Sequence, residues 1–202
     1  MGIVSSTIFI SLDGVHQAPG GPNEDSEGGF EYGGWSAPFA DADAGAWISA
    51  ATLRPDVLLL GRKTYDIFAS YWPTAHDNPI ARKLNEMPKY VASRTLREAS
   101  WSNTTVLDGD VADAVTKLKD HHEVIGTIGS GDLVKTLLRA GVVDELQLLL
   151  YPVILGTGKR FFDDGSRSTP GTWRLVHTTT FPNGVMAHMY RPAGPVRTGD
   201  LT

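Results

Sequence analysis

The stretch Val57-Leu58-Leu59-Leu60-Gly61-Arg62-Lys63-Thr64-Tyr65 decides the fold class. Four apolar residues end on a glycine, and a basic, helix-compatible segment follows at once. That order reads as a buried strand, a tight turn and a helix N-terminus with no linker between them. The pattern returns at Val124 to Ile128, which meets Gly129-Ser130-Gly131 and then a helical stretch from Asp132 to Ala140 closed by Gly141. Working outward, residues 3 to 12 are rich in β-branched side chains and stop at Asp13-Gly14, a strand feeding a turn. Residues 41 to 53 carry Trp47, Ala50 and Ala51 at helical spacing and end at Arg54-Pro55. Lys89 to Ala92 and Thr104 to Leu107 read as short strands, and Val111 to Lys119 as a helix through Val111, Ala114, Val115 and Leu118. Strands alternating with helices predict a mostly parallel sheet with helices on both faces. The rhythm then changes. Glu145 to Val153 reads as a long strand, and two more, Arg174 to Phe181 and Val185 to Tyr190, flank Pro182-Asn183-Gly184, a strong hairpin signal. The expected architecture is one α/β domain over residues 1–192, a mostly parallel central sheet with an antiparallel C-terminal hairpin, and a tail over 193–202 that lacks an apolar pattern. Between the first strand and first helix, Val15 to Pro38 forms a long Gly-, Pro-, Glu- and Asn-rich loop, a length that usually marks function.

The 202 residues are 41% hydrophobic and 20% charged with a net charge of −5, which suits one generous core and argues against a phosphate-backbone partner. Nucleic acid and membrane are not expected partners; a small-molecule substrate is. The absence of cysteine removes disulfides, thiolate metal sites and Cys nucleophiles. The first twelve residues lack a basic region ahead of their apolar run, so no signal peptide is read, and cytoplasmic location follows by elimination. His76 and His121-His122 lack metal spacing, so no metal is expected.

A helix N-terminus presents unpaired N–H groups and partial positive charge, so a phosphate binds there when glycine lets the backbone approach. Gly61-Arg62-Lys63-Thr64 and Gly129-Ser130-Gly131-Asp132-Leu133 both have that form, and Ser93-Arg94 adds a basic turn between them. Each alone reads equally well as a structural turn; three at the carboxyl ends of neighbouring strands would share one crevice. Val134 stands where a Rossmann fingerprint needs its third glycine, and the P-loop signature is missing, which disfavours a generic Rossmann dehydrogenase and a P-loop hydrolase.

Taken in order, Ser11-Leu12-Asp13-Gly14, Gly33-Gly34-Trp35 with Pro38, Leu59 to Tyr65, Ser93-Arg94, Ile128 to Gly131, and Asp144-Glu145-Leu146 through Pro152-Val153-Ile154-Leu155-Gly156-Thr157-Gly158 resemble the dihydrofolate-reductase-like superfamily, from about residue 3 to 191. The last motif is most similar to the reductase domain of riboflavin biosynthesis. The resemblance implies an NADPH site, with Arg62 and Arg94 near the adenosine 2′-phosphate and Thr64 and the Gly129 turn at the pyrophosphate. The cofactor-contact set so implied is Gly61, Arg62, Thr64, Ser93, Arg94, Gly129, Ser130, Gly131 and Leu133. It further implies an oxidoreductase passing hydride to a small heterocyclic or sugar-derived carbonyl or imine. The alternative is a non-catalytic nucleotide or small-molecule binder that kept the fold and forms a homodimer through a late strand.

The classical enzyme of the superfamily uses a carboxylate early in its second structural segment to hold the substrate ring. Asp41 is nearest by count from Trp35 and Pro38 but is also the natural N-cap of the helix. Asp43 shares the helix face of Trp47 and Ala50, and Asp13 ends the first strand beside the long loop. All three are candidate catalytic residues, each with a structural alternative: a cap, a solvated face, or an Asp-Gly turn. Trp35, Tyr71, Trp72 and Phe161-Phe162 are candidates to line a ring pocket or simply to fill the core.

Overall fold

The computed structural model describes residues 1–75, 78–162 and 170–200; His76 lies outside them. Eight strands form one sheet: β1 (Ile3–Ser11), β2 (Val57–Gly61), β3 (Lys89–Ala92), β4 (Thr104–Leu107), β5 (Val124–Ile128), β6 (Glu145–Tyr151), β7 (Thr172–Thr180) and β8 (Met186–Gly194), in the order β4-β3-β2-β5-β1-β6-β8-β7. The six strands from β4 to β6 run parallel, and β8 and β7 close the sheet antiparallel. The helices are α1 (Ala42–Leu53), α2 (Arg62–Tyr71), α3 (Pro79–Glu86), α4 (Val111–Leu118) and α5 (Gly131–Arg139).

Side-chain alternation along β2 shows how the site is positioned. Leu58 and Leu60 pack with Tyr65 of α2, whereas Val57 and Leu59 pack with Leu133 and Leu137 of α5. The helices that follow β2 and β5 therefore leave to opposite faces, although the strands are hydrogen-bonded neighbours. A crevice opens between them at the carboxyl ends of the strands, as at the switch point of an open α/β sheet.

The remaining elements follow their local chemistry. Asp41 caps α1, its Oδ1 accepting from the N–H of Asp43 (2.9 Å) and Ala44 (3.1 Å). α3 is an element the periodicity missed, although Asn78-Pro79 is a start signal: Asn78 Oδ1 accepts from Ile80 N at 2.8 Å, and Pro79 fits the first turn. β6 stops at Tyr151 because Pro152 has no N–H to continue the ladder. β8 continues through Gly194, which pairs with Thr172, so two residues of the stretch expected to fray are in the sheet. In the hairpin, Asn183 donates to Phe39 O at 2.5 Å and so ties the turn to the end of the long loop.

That loop is shaped by two short 3-10 turns, Glu27–Gly29 and Ala37–Phe39, and by Trp35, which is buried and donates from Nε1 to Gln17 O at 2.7 Å. Phe30, Trp35 and Tyr151 pack in one cluster with Phe181 and Val185, so the loop lies on the core. Among the described residues no helix is long and apolar enough to cross a membrane, and no three His, Cys, Asp or Glu side chains gather as a metal ion would require. His122 instead contacts Asp56 at 3.1 Å.

Candidate functional site

A cleft of about 520 Å³ occupies the crevice between β2-α2 and β5-α5. Gly61, Arg62, Lys63 and Thr64 form one wall, and Gly129, Ser130, Gly131, Asp132 and Leu133 the facing one. The two turns touch: Ser130 Oγ accepts from the Gly61 N–H at 2.8 Å. Ser130 reaches that bond from a left-handed conformation (φ 58°, ψ 51°), directly after Gly129 at φ 64°. A non-glycine residue seldom holds this conformation without a compensating interaction, and the bond to Gly61 is that interaction here.

The helix termini differ in a way that bears on function. α1, α3 and α4 have side-chain caps from Asp41, Asn78 and Asp110, while α2 and α5, whose N-termini open on the cleft, have none. Their first N–H groups have no side-chain cap among the described residues. The backbone is also open there, because a Cβ built on Gly129 would meet nothing within 4 Å. Gly131 is different: a Cβ there would fall 2.2 Å from Cε1 of His16, whose ring stands edge-on to Phe161 at 5.9 Å. His16 lines the cleft, and its Nε2 is buried without a hydrogen-bond partner among the described residues. Burial, with Lys135 adding to it, pushes the imidazole down to about 4 and keeps it neutral at physiological pH.

Cations rim the cleft. Arg62 directs Nε to both carboxylate oxygens of Asp66 (2.9 and 2.8 Å), one helical turn further along α2. Ser93 and Arg94 follow β3, whose Ala92 pairs with Gly61, so Arg94 stands exposed beside this wall rather than among the cleft-lining residues. Lys159 enters from the segment after β6, and its Nζ donates to Asp25 Oδ2 (2.6 Å) and Glu27 Oε2 (2.7 Å). Lys63 also donates to Glu27 Oε2. Burial alone would lower the Lys159 value, but the bonds to Asp25 and Glu27 hold it well above the usual lysine range.

The three carboxylates singled out from the sequence lie elsewhere. Asp41 and Asp43 sit at the start of α1, the first as its cap, and neither lines the cleft. Asp13 accepts from Ser11 Oγ (2.7 Å), Leu155 N (3.1 Å) and Gly156 N (2.9 Å), so its carboxylate fastens the segment 155–156 to the first strand. Burial raises its value, but these bonds outweigh burial and bring it down to about 2. The carboxyl groups that do line the cleft are Glu24, Asp25 and Asp132. Glu24 Oε2 accepts from Gly20 N (2.5 Å) and Gly21 N (3.1 Å), and burial raises its pKa. Of the aromatic candidates Trp72 lines the cleft, Trp35 and Phe161 are buried in the core, and Tyr71 and Phe162 are exposed.

Residues 3–187 match the model of the RibD C-terminal domain. The chain belongs to that family. A curated relative, the uncharacterized protein YyaP of Bacillus subtilis, is 32% identical over 140 residues, covering 67% of this chain and 73% of its own. Solved structures share the fold at low identity. A putative riboflavin biosynthesis protein from Shewanella sp. PV-4 is 19% identical, covers 96% of this chain and 99% of its own, and superposes with a TM-score of 0.66. A pyrimidine reductase-like protein of Corynebacterium diphtheriae is 14% identical over 95% of this chain and 92% of its own, with a TM-score of 0.65. RibD of Acinetobacter baumannii is 13% identical with a TM-score of 0.64, and the match covers 96% of this chain but 58% of that longer one. The dihydrofolate-reductase-like fold implied by the sequence motifs is thus the observed one.

Proposed function

We propose that the chain is an NADPH-dependent reductase that passes hydride to a small heterocyclic or sugar-derived carbonyl or imine bound in the cleft. The observation that carries this reading is the convergence of two uncapped helix N-termini, tied by the Ser130–Gly61 bond, on one crevice with a cationic rim. The N–H groups of Arg62 to Thr64 and of Ser130 to Leu133 would hold the diphosphate, and Arg62 with Arg94 would distinguish the 2′-phosphate through planar multi-donor recognition. The reduced nicotinamide supplies the hydride when bound; the chain orients the partners and excludes water. Reduction of a C=O or C=N bond also takes up a proton. Glu24 lines the cleft, and burial raises its carboxyl pKa against the two N–H bonds that lower it, so it is our candidate for that proton rather than Asp13, Asp41 or Asp43, which lie outside the cleft.

Titration calorimetry tests the cofactor. Arg62→Ala weakens NADPH by about tenfold or more and NADH little; equal wild-type affinity for the two refutes the assignment. Because the three sequence-predicted carboxylates lie outside the cleft, the non-catalytic binder is kept as the second reading. NADPH oxidation against dihydrofolate, aminouracil ribose phosphates and simple carbonyls decides between them: saturable binding without turnover on any favours the binder. If turnover is found, Glu24→Gln lowers kcat more than it raises KM. We also propose a homodimer through β7, an edge strand with Leu175 (47%) and Val176 (43%) exposed; light scattering after size exclusion tests it.

A further inference from the structure

Lys63 is the second residue of α2 and Lys159 belongs to the segment after β6, and both line the cleft. One atom, Glu27 Oε2, accepts from both ammonium groups, and Asp25 Oδ2 takes a further bond from Lys159 at 2.6 Å. A carboxylate oxygen therefore already stands between two cations beside an uncapped helix N-terminus, a position suited to a phosphate oxygen.

We propose that Lys63 and Lys159 form a phosphate clamp across the cleft and that Glu27 is its internal counter-ion, displaced when a phosphate-bearing ligand enters. The clamp rests on the NADPH reading only for which phosphate compound it serves. The main chain of the acidic turn is held separately. Gln17 donates from Nε2 to Asp25 O (3.1 Å) and Glu27 O (3.0 Å), and its Oε1 accepts from Lys159 N (3.0 Å). Gln17 is buried, so the turn keeps its place while the Glu27 side chain swings away. That side chain is 59% exposed and Lys63 64% exposed, and ion pairs so wet hold by only a few-fold in an equilibrium constant, so they yield to a multiply charged phosphate. Asp25, at 20% exposure, stays with Lys159. Removing Glu27 then leaves two cations facing one carboxylate.

Calorimetric titration with inorganic pyrophosphate, and separately with NADPH, at fixed ionic strength tests the clamp in the wild type, Glu27→Gln, Lys63→Gln and Lys159→Gln. Glu27→Gln is expected to bind pyrophosphate about two- to tenfold tighter, and either lysine variant weaker by at least that factor. Equal or weaker binding by Glu27→Gln overturns the counter-ion, as does a wild type that does not bind pyrophosphate at millimolar concentration. If Lys159→Gln fails to fold, Lys63→Gln, altered at an exposed side chain, carries the comparison, and unchanged affinity there overturns the clamp. Pyrophosphate binding without NADPH binding keeps the clamp and removes the dinucleotide reading. NADPH binding with no response to Glu27→Gln does the reverse.

Discussion

Replacing Ser130 with alanine and, separately, with glycine resolves the energetics at the centre of the cleft. Both substitutions remove the oxygen that accepts from Gly61 N at 2.8 Å. A hydrogen bond of this kind contributes about 1 kcal/mol net, and a donor left partly buried without a partner costs somewhat more, so the shared loss is about 1–1.5 kcal/mol. They differ in backbone. At φ 58°, ψ 51° a residue with a Cβ carries a penalty of about 1 kcal/mol that glycine does not. Ser130→Ala should therefore lose about 1–1.5 kcal/mol, and Ser130→Gly only about 0–0.5 kcal/mol. With a urea m-value of about 2 kcal/mol/M, the midpoint falls by about 0.6 M for alanine and by less than about 0.25 M for glycine. Ligand binding should order the variants differently, because both unfasten the two turns and both weaken NADPH. Urea unfolding followed by tryptophan fluorescence, alongside calorimetry, gives the two scales. A glycine variant as unstable as the alanine one, or an alanine variant as stable as the wild type, refutes the reasoning.

The low pKa of His16 makes it an acid-sensitive part of the fold. Its folded value of about 4 lies below the unfolded 6.5, so its contribution is complete above pH 6.5 and is lost as pH falls toward 4, by up to about 3 kcal/mol; His16→Gln should flatten that part of the stability–pH curve. Asp13 acts lower on the scale: its support is present above about 3.8 and fades as pH falls to about 2, and Asp13→Ala should cost about 1–3 kcal/mol at neutral pH by freeing the N–H groups of Leu155 and Gly156, read by urea titration. Ser6 and Thr127 are paired in register on β1 and β5, and each buries a hydroxyl without a partner among the described residues. Thr127→Val should accordingly leave stability unchanged or raise it by about 1 kcal/mol in thermal unfolding; a clear loss would mean that the hydroxyl has a bound partner.

Much of the sheet is legible from local pattern. Val57 to Leu60 and Val124 to Ile128 are short apolar runs punctuated by glycine, and the strands have the bounds that the pattern implies, with β2 taking in Gly61 itself. Asp41 was readable as a cap because Ncap chemistry is local. The facing pair of glycine turns was legible as two turns, but their direct bond depends on a side-chain rotamer and a strand order that no local window contains. Lys159, Glu24 and Asp25 were missed for a related reason. They lie in polar stretches without periodicity, and only the return of the segment after β6 to Gln17 brings them to the cleft. Lys159 directly follows Gly156-Thr157-Gly158, so the one available signal was a basic residue next to a glycine turn.

The imidazole of His16 fills the volume that a Cβ on residue 131 would need. Glycine at 131 is therefore fixed by a neighbour from a distant part of the chain, and its freedom depends on what that neighbour is. Two positions, one at the start of the long loop and one at the start of α5, share a single allotment of space and must drift together. A relative that carries alanine at the position of Gly131 should have given up the ring at the position of His16. A lineage that keeps the ring has no route to a side chain at the helix start, and its cleft-facing backbone stays bare through any amount of change elsewhere.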